Sequence, residues 1–233
     1  MVNLNVDDTE AFEMMQRADA GDSEAQFYFA RYLLMDENLE YREGLSNEEI
    51  ERAIHYLQQS ATKGKVQGGA AMQLGDIYYQ GKIVPISYPK AIMWYRTAVM
   101  SGNPPAAFIL GECAQYGKGM PVDIEEAIEW YLQAIKGYEM ALIRLGDMYR
   151  SGEYFKADPA LAFKLFKIAQ QGSVGLFEKY GMKTDEFKMS EERMMEMMNT
   201  GEQNAPPPLE ETLGELDLRV RAYLKEYLGE QLK

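Results

Sequence analysis

Small and large apolar side chains recur along this chain with the spacing of helix turns. In the segments that begin at Ala91, Ala127 and Ala162, two alanines stand seven residues apart, and large apolar side chains lie three and four residues after the first alanine. This spacing places all of them on one stripe of a helix, where the small alanines let a neighbouring helix approach closely. The pattern predicts amphipathic helices that pack tightly through one face.

A second apolar motif alternates with the first. Its three clear copies begin at Ala70, Ala106 and Ala141, and each contains a Leu-Gly pair; successive pairs lie 36 and 35 residues apart. A glycine follows each copy, at Gly81, Gly117 and Gly152, ten residues before the alanine that opens the next motif. A fixed period of this length predicts stacked antiparallel helix pairs that bury their faces against their neighbours.

The span 69–172 resembles the Sel-1-like repeat family. The family pattern combines the Leu-Gly pair, a loop of the form Gly-Val-Pro-x-Asp and a helix of the form Ala-x-x-Trp-Tyr-x-x-Ala. This chain has the loop prolines at Pro85 and Pro121 and the Trp-Tyr pairs at 94–95 and 130–131. The resemblance implies an all-α fold, a right-handed α/α solenoid of antiparallel helix pairs similar to tetratricopeptide-repeat proteins, with a helical cap at its C-terminal end.

The repeat pattern predicts an array over residues 1–172 that begins with half a repeat. We expect the half repeat at residues 8–21 and full units at about 24–64, 69–102, 105–137 and 140–172. The first full unit departs from the pattern, because Ala30 stands where glycine is expected and an acidic, irregular loop at 37–47 lengthens the connection. Gly172 is expected to end the last helix of the array.

The pattern decays after the array. Residues 173–202 are predicted to form degenerate capping helices, including a methionine-rich helix opened by Ser190, and residues 203–208 to form a proline-rich spacer. Residues 209–233 contain a final amphipathic helix. This helix either folds back onto the array or pairs with a partner or a second copy of the chain, which would make a homo-oligomer.

Charge narrows the choice of partners. Thirty-seven Asp and Glu against 24 Lys and Arg give the 233-residue chain a net charge of −13, which repels nucleic acid and anionic lipid. We expect neither as a partner. The N-terminal residues lack a basic start and an apolar run, and no apolar stretch is long enough to span a bilayer, so we expect a cytoplasmic protein.

Candidate catalytic chemistry is sparse. The chain has one histidine, His55, and one cysteine, Cys113, and its glycines form no phosphate-binding motif. A metal cluster or a nucleophile with its base needs more groups than these. We therefore predict no enzyme, no cofactor and no metal.

The resemblance to tetratricopeptide proteins implies a concave groove lined by the first helix of each pair. The residue after each Leu-Gly pair is then expected in the groove, and it is acidic in three consecutive repeats. With the matching earlier position and residues one turn further along, the predicted partner-binding residues are Arg31, Asp76, Tyr79, Glu112, Tyr116, Asp147 and Arg150. A different interpretation is that these acids form the solvated side of amphipathic helices in an acidic protein.

Two functions follow from these observations. The first is a protein–protein interaction module, an adaptor or scaffold, that binds a basic or apolar segment of a partner in the groove. The second is an acidic inhibitor, such as an immunity protein that masks a toxin or an enzyme.

Overall fold

The computed structural model describes residues 8–180, 185–200 and 214–228. Over these residues it contains α-helices and a single isolated antiparallel bridge, between Met35 and Tyr41, and no longer strand. The all-α prediction is confirmed. The helices are α1 (Asp8–Asp19), α2 (Ser23–Leu34), α3 (Asn47–Ser60), α4 (Gln67–Gln80), α5 (Tyr88–Met100), α6 (Pro104–Tyr116), α7 (Ile124–Ala134), α8 (Met140–Ser151), α9 (Pro159–Tyr180), α10 (Asp185–Thr200) and α11 (Gly214–Leu228).

The helices divide between two compact units, and each packs mainly through consecutive helices. Unit 1 comprises residues 1–113 and 117–121, and unit 2 comprises residues 114–116 and 122–233. In unit 1 the helices from α1 to α5 each contact the next one along the chain. In unit 2, α8 packs against α7 and α9, and α10 packs against both α9 and α8. Such pairwise packing is what a repeat array requires.

The repeated loops have a common backbone design. Gly81, Gly117 and Gly152 end α4, α6 and α8 with φ of 67°, 69° and 66°, a left-handed conformation that favours glycine. The backbone N–H that precedes each following helix then bonds back to the helix before the loop: the pairs are Ser87 to Tyr78, Asp123 to Ala114 and Asp158 to Tyr149, at 2.8–2.9 Å. The predicted helix ends at these glycines are confirmed.

The glycine of the Leu-Gly pair has a separate role in packing. A methyl group added at Gly75 would lie 2.4 Å from ring carbons of Tyr95 on α5, and one added at Gly146 would lie 2.5 Å from the ring of Phe166 on α9. Both rings are fully buried. Only a residue without a side chain allows the two helices of a pair to approach this closely.

Two predicted helix boundaries near the C-terminal end are wrong. The helix predicted to stop at Gly172 continues, since α9 runs from Pro159 to Tyr180. Ser190 does not open the methionine-rich helix, because α10 begins at Asp185 and the Ser190 side chain is buried inside it. The predicted spacer at 203–208 lies outside the described residues.

The last helix makes contacts within unit 2. Val220, Leu224 and Leu228, three members of the apolar stripe of α11, are buried. The Arg219 guanidinium contacts Glu125 and Glu129 of α7 at 2.5 and 3.0 Å. Apolar burial and ion pairs therefore both hold α11 against the helix pair that contains α7.

Gly75 offers a direct test of the close approach between α4 and α5. We expect Gly75→Ala to lower the free energy of unfolding by about 1–3 kcal/mol, because the added methyl group displaces the buried Tyr95 ring. Gly69→Ala is the matched control in the same helix: its methyl group would lie 3.5 Å from Phe27, in ordinary contact. The control should leave stability unchanged or raise it by up to about 1 kcal/mol. Urea unfolding followed by circular dichroism measures both, and equal effects would contradict this packing role.

Candidate partner-binding site

The seven predicted contact residues all lie on the first helix of a pair. Arg31 is on α2, and Asp76 and Tyr79 are on α4. Of the two α6 residues, Glu112 is half-buried in unit 1, whereas Tyr116 belongs to unit 2 with Asp147 and Arg150 of α8. The predicted residues are therefore divided between the two units, and their surroundings differ.

Asp76 is a half-buried carboxylate that accepts a hydrogen bond from a hydroxyl group. The Tyr95 hydroxyl of α5 donates a hydrogen bond of 2.9 Å to its Oδ1 atom. Burial raises the pKa of Asp76 to about 6, against the lowering effect of this hydrogen bond. No cation forms an ion pair with Asp76 among the residues that the structure describes. Asp76 is therefore a half-buried carboxylate that has no ion-pair partner in the described part of the chain.

Aromatic side chains surround this carboxylate. The Tyr79 ring meets the Tyr95 ring edge-on at 6.1 Å and the Tyr88 ring at 5.5 Å. The ammonium group of Lys118 donates a hydrogen bond of 2.6 Å to the Tyr79 hydroxyl. The structure thus joins two predicted site residues, Asp76 and Tyr79, through Tyr95, which the sequence analysis treated only as core.

The loop between α2 and α3 approaches the same carboxylate. Burial raises the pKa of Tyr41 to about 12, with a smaller contribution from the negative charge of Asp76. One turn before Asp76 on α4, the Gln73 side chain is buried, and its oxygen has no hydrogen-bond donor within the described part of the chain. One buried acceptor on this face of α4, the Gln73 oxygen, therefore lacks a donor from the described residues.

Arg31, the matching position on α2, packs against an aromatic ring. Its guanidinium carbon lies 5.6 Å from the centre of the Phe27 ring, and the side chain is half-buried. Such a cation–π contact orients the guanidinium group and does not itself use the hydrogen-bond donors of that group. The first full repeat therefore presents a cation where the next repeat presents an acid.

Asp147 in unit 2, unlike Asp76, has arginine partners from this chain. Its Oδ1 atom lies 3.0 Å from Arg193 Nε and 3.7 Å from Arg150, and both arginines contact Glu196, at 3.5 and 2.8 Å. Burial still raises the pKa of Asp147, although the neighbouring arginines oppose the shift. Because Arg193 and Glu196 come from α10, this chain itself supplies the partner of Asp147. The repeat pattern gave no signal for that contact.

Tyr116 is the most open of the predicted residues in unit 2. Its side chain is 50% exposed, and the Arg144 guanidinium lies over its ring at 5.9 Å while donating a 3.3 Å hydrogen bond to its hydroxyl group. This contact holds the ring in place at the surface. A fixed, exposed aromatic ring of this kind suits contact with another protein.

The residues with catalytic potential are engaged in ordinary contacts. Cys113 is buried, which raises the pKa of its thiol to about 11 and keeps it protonated at neutral pH. The His55 Nε2 atom shares a 3.0 Å hydrogen bond with the Gln59 side chain on the surface of α3. Across residues 8–180, 185–200 and 214–228 no group of three or more His, Cys, Asp and Glu side chains could hold a metal ion. No helix there has both the length and the apolar composition to cross a bilayer.

Comparison with known proteins identifies the repeats. The model of the Sel1 repeat matches residues 23–65, 69–103, 104–137 and 139–169 of this chain, which is more than half of its length. No curated protein matches the chain.

The chain is similar in fold to solved structures that include two Sel1-repeat (SLR) proteins. A Sel1 repeat protein from Oxalobacter formigenes is 18% identical, with 97% of this chain and 76% of that one covered and a TM-score of 0.66. The protein c5321, a protective antigen of uropathogenic Escherichia coli with an SLR fold, is 24% identical, with 96% of this chain and 42% of that one covered and a TM-score of 0.59. This chain therefore spans less than half of the second protein. At these identities the likeness concerns the fold.

The raised pKa of the half-buried Asp76 carboxylate leads to a prediction about the stability of the fold. In the unfolded chain the pKa of Asp76 is near 3.8, and in the folded chain it is about 6. The folded state therefore binds more protons between these values, so the ionised carboxylate lowers stability above pH 6 and costs nothing below pH 4. We expect Asp76→Asn to raise the free energy of unfolding at pH 7.5 by roughly 1–3 kcal/mol, since the asparagine oxygen still accepts from Tyr95.

The measurement is urea unfolding at pH 7.5 and at pH 4. The gain should shrink toward zero at the lower pH. Glu51→Gln, which removes an exposed carboxylate from α3 of the same unit, should show no such gain. A loss of stability at pH 7.5 in Asp76→Asn would show that the carboxylate has a stabilising partner.

Proposed function

Since the chain belongs to the Sel1 repeat family, we propose that it is an adaptor or scaffold that binds a basic segment of a partner protein at Asp76. Sel1 repeat proteins are generally protein-interaction modules. The surroundings of the Asp76 carboxylate support the proposal that the bound segment is basic and that Asp76 receives it. We propose no catalytic activity and no nucleic-acid or membrane partner.

The observation that carries the proposal is the missing counter-charge of Asp76. A buried carboxylate is stable when hydrogen bonds or a cation replace the water it has lost. Asp76 has one such donor, the Tyr95 hydroxyl, and no cation among the described residues. A lysine or arginine from a partner would supply the missing interaction, and Asp147 demonstrates that arrangement within this chain, through Arg193.

Neighbouring groups would extend the contact. Tyr79 and the loop residue Tyr41 add aromatic rings to this part of unit 1. Each ring already has a lysine of this chain near its centre, Lys118 at 5.1 Å and Lys82 at 5.9 Å, and a basic residue of a partner would join or replace these lysines. We propose Arg31 and Glu112 as flanking contacts in unit 1, and Tyr116 as the exposed contact in unit 2. Asp147 and Arg150 are engaged with α10, so a partner would have to compete with Arg193 and Glu196 for them.

The net charge of −13 supports a basic partner through long-range attraction. An acidic protein attracts a basic one over about a Debye length, roughly 8 Å in physiological salt, and this raises the association rate. The same acidity suits the alternative function, an inhibitory or immunity protein that masks a basic toxin or enzyme. The two roles differ in their effect on the partner: an inhibitor abolishes the partner's own activity, whereas an adaptor leaves it intact.

The role of Asp76 is tested with the full chain as bait in extract of its own cells. The retained protein is identified, purified and titrated by calorimetry against the parent, Asp76→Asn and Glu51→Gln. We expect a basic partner whose dissociation constant rises about tenfold or more in Asp76→Asn and stays unchanged in Glu51→Gln, because only the first variant removes the buried charge.

The pH dependence provides an independent check. Binding to a cation favours the ionised carboxylate, so affinity should rise with pH through about 6, by at most about tenfold per pH unit, and level off above pH 7. This slope should vanish in Asp76→Asn. Equal weakening of binding in Asp76→Asn and Glu51→Gln would show that the effect comes from net charge alone. An unchanged affinity in Asp76→Asn would exclude Asp76 as the site.

A further inference from the structure

The loop between α2 and α3 has an unusual residue at its tip. Leu39 has φ of 64° and is the one non-glycine residue with positive φ in the described part of the chain. A side chain with a Cβ atom is disfavoured in this left-handed region, which usually holds glycine or asparagine. The Leu39 side chain is also 54% exposed. Both its backbone and its side chain are therefore placed unfavourably for the isolated protein.

The rest of the loop holds Leu39 in this conformation. The Asp36 carboxylate accepts hydrogen bonds from the N–H groups of Asn38 and Glu40, at 2.9 and 3.0 Å. The Asp36 N–H donates to the Glu40 carbonyl at 2.8 Å, and the Leu39 N–H donates to the Asp36 carbonyl at 3.1 Å. The bridge between Met35 and Tyr41 closes the turn below them. A turn with this many internal bonds presents Leu39 in one fixed position.

A fixed, strained and exposed apolar residue has little effect within its own chain. Folding gains from a leucine when its side chain leaves water, and Leu39 keeps more than half of its surface exposed. Strained backbone of this kind clusters at binding sites and active sites, where the surrounding structure holds it in place. A preorganised apolar tip that loses no further freedom on binding suits an anchor in a partner's pocket.

The surroundings of the tip indicate the chemistry of that partner. Four carboxylates lie within four residues of Leu39 along the chain, at Asp36, Glu37, Glu40 and Glu43, against one arginine, Arg42. Lys82 is already near Glu40, at 3.7 Å. An apolar tip in an acidic stretch of sequence complements an apolar pocket with a basic rim. A second copy of this chain, with its net charge of −13, is a poor occupant for the same reason.

The loop also connects this tip to the proposed site. Tyr41, two residues after Leu39, lies close enough to Asp76 for the carboxylate to influence its hydroxyl group. We propose that Leu39 is an anchor residue that inserts into an apolar, basic-rimmed pocket of the partner protein bound at Asp76. This inference rests on the proposed function, and it adds a second, apolar contact with its own requirement on the partner.

The first experiment tests whether a partner covers the tip. The photo-crosslinking residue p-benzoylphenylalanine is placed at position 38 of the full chain in its own cells, which leaves Leu39 intact, and at position 100 as a control on α5, where Met100 is exposed. We expect a single basic protein crosslinked from position 38 and absent from position 100. No crosslink from position 38, or one to a second copy of this chain, would overturn the proposal.

The second experiment uses that crosslinked protein, purified, as the probe. Leu39→Gly and Leu39→Asn should raise its dissociation constant about tenfold or more. Leu39→Met should stay within about threefold of the parent, because it keeps an apolar side chain at the tip. Met93→Ala, which truncates a side chain of matching 52% exposure on α5, should have no effect.

Thermal unfolding separates the anchor from a structural role. Leu39→Gly and Leu39→Asn should melt at the parent's temperature or above it, because both residues tolerate the left-handed conformation. Weaker binding with unchanged or higher stability supports the anchor. Parental affinity in both variants overturns it, and if Asp76→Asn still weakens binding in that case, the proposed function survives without the anchor. Weakening by the Leu39 variants alone would instead reject Asp76 as the site.

Discussion

In two of the helix pairs, the close approach of the helices depends on a glycine that meets an aromatic ring. At Gly75 the missing side chain admits the Tyr95 ring, and this places the Tyr95 hydroxyl group beside Asp76, the next residue of the same helix. The packing requirement and the candidate site are therefore consecutive residues of one motif. A larger residue at Gly75 would move the ring, and the carboxylate would lose its one hydrogen-bond donor from the described chain. Core geometry thus sets the electrostatics of the surface that it supports.

The acidic residue that recurs after the Leu-Gly pairs has different surroundings in different repeats. At the second of the two close approaches, Phe166 replaces tyrosine against Gly146, no hydroxyl group reaches Asp147, and Arg193 of α10 pairs with that carboxylate instead. In the first full unit, buried Ala30 and Leu57 stand at the positions of the glycine and the ring, and the next residue is Arg31. The consensus preserves packing volume, and each repeat then satisfies its polar residue differently.

The repeat period predicted those features of the fold that depend on residues close together in the sequence. The three glycine helix ends follow from backbone geometry that nearby residues determine. The helix end expected at Gly172 failed because glycine tolerates a helix interior when neighbouring contacts favour it. Arg193 lies 46 residues from Asp147, a separation at which no repeat pattern predicts contact. The left-handed backbone of Leu39 was equally hidden, since leucine rarely adopts it.

Asp76 and Leu39 share a property that unites the candidate surface. Each is unfavourable for the isolated chain, the first as a buried charge without a cation and the second as an exposed apolar residue on strained backbone. Tyr41 links them, since it lies two residues from Leu39 and the negative charge of Asp76 contributes to its raised pKa. Local conflicts with folding are rare in natural sequences and concentrate at functional sites. Two such features, of different physical kinds, on one loop and the helix it approaches support the proposal of a single partner that contacts both.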